Sequence, residues 1–88
     1  MYSKKISVKN PTGLHARPAS DFVAAAAEYK SSVTLKRAGE DDEYNAKSIV
    51  MLLALGLEQG EEAILTAEGD DETEAVEVLA SLVERFAE

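Results

Sequence analysis

Gly13-Leu14-His15-Ala16-Arg17-Pro18-Ala19-Ser20 decides the fold, because an alternating strand pattern stops before it and a helical pattern starts within it. Pro18 suits a first helical turn, where its missing N–H costs nothing, and the alanine-rich run after it favours helix. His15, the only histidine in 88 residues, is thereby placed just outside a helix N-terminus. Several backbone N–H groups lack intrahelical partners at such an end, and the macrodipole is positive there. A phosphate carried on the imidazole would meet donors already in place. The amides of Ala16 and Arg17 supply those donors, and the Arg17 guanidinium can fork onto phosphate oxygens. A lone histidine is ordinarily a surface or satisfied core residue. The neighbours here point further: Gly13 permits positive φ or a close backbone approach, Pro11 and Pro18 stiffen both sides, and Thr12 offers a hydroxyl to orient a ring nitrogen.

Upstream of this stretch, Ile6 and Val8 alternate with Ser3, Lys5, Ser7 and Lys9, which predicts a strand with one wet face. Asn10-Pro11-Thr12-Gly13 is turn chemistry that delivers the chain to His15. Downstream, Ala19, Phe22, Val23 and Ala26 recur at helical spacing, predicting a helix from about Ala16 to Tyr29 anchored by Phe22 and Val23.

Val33 and Leu35 alternate with Ser32, Thr34 and Lys36 as a second strand, turned by Gly39. The run Glu40-Asp41-Asp42-Glu43 lacks the glycine-containing spacing of a calcium loop, so it reads as a solvated hairpin tip and not a metal site. Tyr44 and Asn45 are assigned to a short third strand. Ser48 is an N-cap for a helix over Ile49 to Leu55, with Gly56 at C′. That helix is apolar almost all round and too short to bury every face. Some of Ile49, Val50, Met51 and Leu53 are therefore expected at the surface as a partner patch, the alternative being that all are core or dimer contacts.

Ala63, Leu65 and Ala67 mark a fourth strand, ended by Gly69. Asp71 and Glu74 match the spacing of a capping box, and Ala75, Val76, Leu79, Leu82, Val83 and Phe86 repeat at three and four as a closing amphipathic helix. The order strand, helix, strand, strand, helix, strand, helix predicts an α+β fold, with three helices packed on one face of a four-stranded, mostly antiparallel sheet.

Two segments carry a family resemblance. Gly13-Leu14-His15-Ala16-Arg17-Pro18-Ala19 resembles the phosphohistidine motif of HPr, the histidine-containing phosphocarrier family of the bacterial phosphoenolpyruvate-dependent sugar phosphotransferase system. Lys47-Ser48-Ile49 with Leu55-Gly56 resembles that family's regulatory-serine segment. The resemblance runs over essentially the whole chain and implies an open-faced β-sandwich. It makes His15 the phosphate acceptor and Arg17 its electrostatic partner. It implies enzyme I as donor, enzyme II A domains as acceptors, and a docking surface including Ala16, Ser20, Lys47, Ile49, Val50, Met51 and Leu53. It also makes Ser48 a target of regulatory phosphorylation by an HPr kinase/phosphorylase, with a transcriptional regulator as a further partner; as a bare residue Ser48 is sufficiently explained as an N-cap. A regulatory paralogue in carbon or nitrogen signalling, acting by binding partners, is the alternative, against which the intact His15 argues. Two departures stand out: the segment between the second and third strands is longer and more acidic than the family's usual one, and the partner-facing positions carry fewer lysines than expected, with Ala24, Ala27 and Met51 on or near that surface.

With 88 residues, 45% of them hydrophobic, one domain spanning 1–88 is expected. Nine basic against seventeen acidic residues give a net charge of −8, which repels nucleic acid and anionic membrane surfaces. The absence of cysteine excludes disulfides and thiolate metal sites. No apolar signal core follows the N-terminal lysines, and the longest apolar run, Ile49 to Leu57, is far short of the ~20 residues that span a bilayer. A cytoplasmic monomer that needs no cofactor or metal is expected. With one histidine and no second base, it is a stoichiometric shuttle and not a free-standing enzyme.

Overall fold

Seven elements follow one another as the sequence predicts: β1 (Tyr2–Ser7), α1 (Ala16–Ala26), β2 (Ser32–Arg37), β3 (Tyr44–Asn45), α2 (Ile49–Leu55), β4 (Glu62–Glu68) and α3 (Glu72–Arg85). The computed structural model describes residues 1–86. Its sheet has the order β1-β4-β2-β3 and every pairing is antiparallel. Leu65 of the central β4 stands between Lys4 of β1 and Leu35 of β2. Alternation then buries one side only: Ile6, Val33, Leu35, Ala63, Leu65 and Ala67 face the core, while the residues between them are exposed or half-buried. The three helices cover that side as an open-faced sandwich. Phe22, Leu52, Leu79 and Val83 fill the space beneath them without solvent contact.

Val8 lies just beyond β1 but continues its register, donating to Glu61 O at 2.9 Å and accepting from Gly60 N at 2.8 Å. All four residues of the acidic run between β2 and β3 are exposed, as a solvated tip requires. Of the two anchors expected in α1, Phe22 is buried and Val23 only half-buried.

Two expectations need correction. The α-helix of α1 ends at Ala26, three residues early, because the amides of Glu28 and Tyr29 step down to i−3 carbonyls at 3.2 Å. Lys47 Nζ takes the exposed end of this tight turn, donating to Tyr29 O at 2.7 Å. The capping box at α3 does not form either. Asp71 is the N-cap, yet its carboxylate makes no cap bond; it accepts from the amides of Lys30 (2.9 Å) and Ser31 (3.0 Å) and from the Ser31 hydroxyl. Ser31 is buried against Gly69, so its donors have no water to turn to and outcompete the local amides. Glu72, the first residue of the helix, reaches back past the cap instead, its carboxylate accepting from Gly69 N at 3.1 Å.

The hydroxyl and amides around Asp71 push its carboxyl down from 3.8 to about 2. A carboxyl lowered on folding stabilises the fold above its ordinary range, and that contribution fades as pH falls from about 4 towards about 2. Asp71→Asn is therefore expected to flatten the acid limb of stability in this window, read as Tm against pH. An unchanged acid limb would show that the clamp carries no stability.

Candidate phosphoryl-carrier site

The approach to His15 is built by side chain and backbone together. Asn10, only 3% exposed, donates from Nδ2 to Gly13 O (2.7 Å) and to Thr12 Oγ1 (3.1 Å), while Gly13 N returns a bond to Asn10 O at 3.0 Å. Gly13 has φ +68°, and a Cβ there would lie 2.4 Å from Leu57 O. Only glycine lets the loop rest this closely on residues 57 and 58, where Leu14 N then bonds Leu57 O at 2.9 Å. Asn10 Oδ1 is buried without a partner among the described residues.

His15 is the N-cap residue of α1, extended at φ −128° and ψ 163°, and its side chain makes no cap bond. The imidazole is half-buried, and its ring nitrogens take no hydrogen-bond partner among the described residues. Ala16 follows with φ +54°, a left-handed conformation that costs a non-glycine residue on the order of 1 kcal/mol. The strain stands at the junction between the imidazole and the first helical turn. The amides of Ala16 and Arg17 take no acceptor from the described residues, as the first turn of a helix leaves them.

The other expected site residues are placed as follows. Thr12 is exposed and its hydroxyl oxygen serves Asn10; the expected orienting bond to His15 is not among those of the described residues. Arg17 is 89% exposed at its side chain and lies towards Asp21, with 3.9 Å between Nε and Oδ2, so its guanidinium is held only by a weak surface pair. Ser20 and Ala24 are exposed on α1, as is Ala27 just past its end. Lys47 stands half-buried with its ammonium committed to Tyr29 O, so it is not a free cation at the edge of the patch.

Ser48 caps α2, its hydroxyl accepting from Met51 N at 3.3 Å, and Gly56 closes the helix at φ 62°. Leu52 and Leu55 anchor α2 in the core. The other face stays outside: Val50 is 72% exposed, and Ile49, Met51 and Leu53 are each more than a third exposed. The possibility that all of these are core residues is thereby removed. The patch forms the apolar ground beside α1.

One contributor was not singled out from sequence. Arg37, at the end of β2, sends Nε to Glu61 Oε2 (2.7 Å) and Nη2 to Glu61 Oε1 (3.2 Å), Leu55 O (2.9 Å) and Gly56 O (3.2 Å). The guanidinium holds the Glu61 carboxyl below its ordinary range. Glu61 Oε1 also accepts from Glu58 N at 2.9 Å. No local pattern marks an arginine on a strand as such a brace.

Among the described residues no helix is long and apolar enough to cross a membrane. Residues 2–85 match the family model described as the PTS HPr component phosphorylation site. The phosphocarrier protein HPr of Borreliella burgdorferi is 41% identical over 88 residues, covering all of both chains. The HPr-like protein Crh of Bacillus subtilis is 44% identical over 84 residues, 96% of each chain. The crystal structure of HPr-C-His from Thermoanaerobacter tengcongensis superposes with a TM-score of 0.92 at 44% identity, covering 100% of this chain and 98% of that one. With a matching fold and similarity along essentially its whole length, the chain belongs to the HPr family of phosphotransferase-system phosphocarriers.

Proposed function

We propose that the chain accepts a phosphoryl group on His15 from enzyme I, derived from phosphoenolpyruvate, and passes it to enzyme II A domains for sugar uptake in the cytoplasm. The observation that carries this reading is an uncommitted imidazole at the start of α1, followed by two amides without acceptors. In the forward step a ring nitrogen bonds the phosphorus as the donor's bond to it breaks; in the second step the N–P bond breaks as the acceptor's bond forms. Positioning and neutralisation of the equatorial oxygens are what such a transfer needs, and the Ala16 and Arg17 amides and the Arg17 guanidinium supply them. Arg17 leaves Asp21 to do so, at little cost because the pair is exposed. The apolar face of α2, with Ala16 and Ser20, is the docking surface. The carrier acts as a monomer in this reading, since enzyme I and the A domains need the face free.

A second role rests on Ser48, whose hydroxyl stands at the head of the exposed helix. A phosphate there sits favourably on the helix end yet sets a dianion in the docking face, as a regulatory kinase would exploit. Crh, the similar protein from Bacillus subtilis, is named as HPr-like and not as a phosphocarrier, which keeps a signalling role through a transcriptional regulator as the second reading.

One experiment addresses both. Labelled phosphoenolpyruvate and enzyme I are expected to load the wild-type chain, and an added A domain to unload it. Ser48→Asp is expected to load with a KM raised about tenfold. Label that is never acquired, or never released to an A domain, contradicts the carrier role; an unchanged KM in Ser48→Asp removes the regulatory one.

A further inference from the structure

Residues 55–61 form a ledge that touches the His15 approach at four places. Val8 exchanges bonds with Glu61 and Gly60, Lys9 O accepts from Gln59 Nε2 at 3.1 Å, Gly13 packs on Leu57 and Glu58, and Leu14 N donates to Leu57 O at 2.9 Å. Residues 57–61 belong to no helix or strand, and among themselves their backbone groups close only a turn, Glu61 N donating to Glu58 O at 3.0 Å. It is held from beneath by Arg37, which bonds Leu55 O and Gly56 O at one end and Glu61 at the other, with Glu61 in turn holding Glu58 N. Arg37 itself is fixed in β2, with Ala63 of β4 as its register partner. Direct hydrogen bonds join Arg37 to the ledge and Leu57 to Leu14, and Gly13 packs on the same backbone, so a shift of the guanidinium moves the ledge and with it the backbone on which Gly13 and Leu14 rest.

We propose that Arg37 is a positioning residue for phosphoryl transfer, setting the placement of the His15 loop through residues 55–61. The proposal rests on the reading of His15 as phosphoryl acceptor. Lysine cannot replace it, because a single ammonium does not span a carboxylate and two carbonyls as the planar fork does. Glu40 Oε1 approaches Arg37 Nη1 at 3.8 Å, which ties the acidic tip loosely to the same brace.

The test compares Arg37→Met and Arg37→Lys with Asp71→Asn, which breaks a clamp at Ser31 with no tie to the ledge. All are assayed where circular dichroism shows them folded. Both Arg37 variants are expected to speed hydrogen exchange at the Leu14 amide about tenfold and to lower kcat for phosphorylation by enzyme I about tenfold, with KM within about twofold. Asp71→Asn is expected to lower Tm without either change. The proposal is overturned if the Arg37 variants match Asp71→Asn in exchange and in kcat, or if only KM moves. Should the wild-type chain take up no phosphate at all, the carrier reading fails by itself, and Leu14 exchange alone then decides the positioning: acceleration supports it and no change overturns it.

Discussion

Gly13→Ala is expected to destabilise the chain on the order of 3 kcal/mol, lowering Tm by about 15 °C in a domain of this size. Two effects add. A non-glycine residue at φ +68° costs on the order of 1 kcal/mol. The new methyl would also stand 2.4 Å from Leu57 O and 2.9 Å from Glu58 Cα, both backbone atoms that yield only by moving the chain. Relief of the clash breaks the Leu14 to Leu57 bond and lifts the His15 loop from its support. Gly39→Ala is the matched comparison, since Gly39 has φ +86° and nothing within 4 Å of the added Cβ. It carries the conformational cost alone. Equal losses from the two variants, measured by thermal unfolding, would show that the loop is not seated on residues 57 and 58 as described.

Replacing His15 with alanine is expected to abolish acid-labile phosphorylation while leaving Tm within a few degrees. The imidazole makes no cap bond, so its removal takes no hydrogen bond from α1. No other histidine exists to accept the group. Arg17→Ala is expected to fold equally well and to transfer about ten- to a hundredfold more slowly, because the amides remain when the cation is lost. Label retained by His15→Ala would transfer the acceptor role to another side chain; wild-type kinetics in Arg17→Ala would leave Arg17 a surface cation.

Local signals were enough wherever the governing partner is near in sequence. Ser48 and Gly56 bracket α2 because capping and the left-handed turn act within three or four residues. The alternation of Ile6, Leu35 and Leu65 placed the strands and the covered face. Where a distant group decides, the sequence was silent. The end of α1 carries no glycine or proline, and its tight turn is served by Lys47, 18 residues on. Asp71 matched a capping box but answers to Lys30 and Ser31, about 40 residues away. The candidate site divides in the same way: the place of His15 at the head of a helix and the stiff turn before it were legible from residue types, whereas the left-handed backbone of Ala16 has no mark in an alanine. Arg37 reads as an ordinary strand-end cation until its bonds 18 to 24 residues away are seen.

The central claim is that the phosphoryl group travels on the ring of His15. Its most direct measurement is phosphorus NMR of the wild-type chain after loading by enzyme I, joined to mass spectrometry of the peptide that contains residues 13–20. One phosphate per chain, labile to acid and carried on His15, is the predicted result; a phosphate borne by any other residue, or none, would contradict the account.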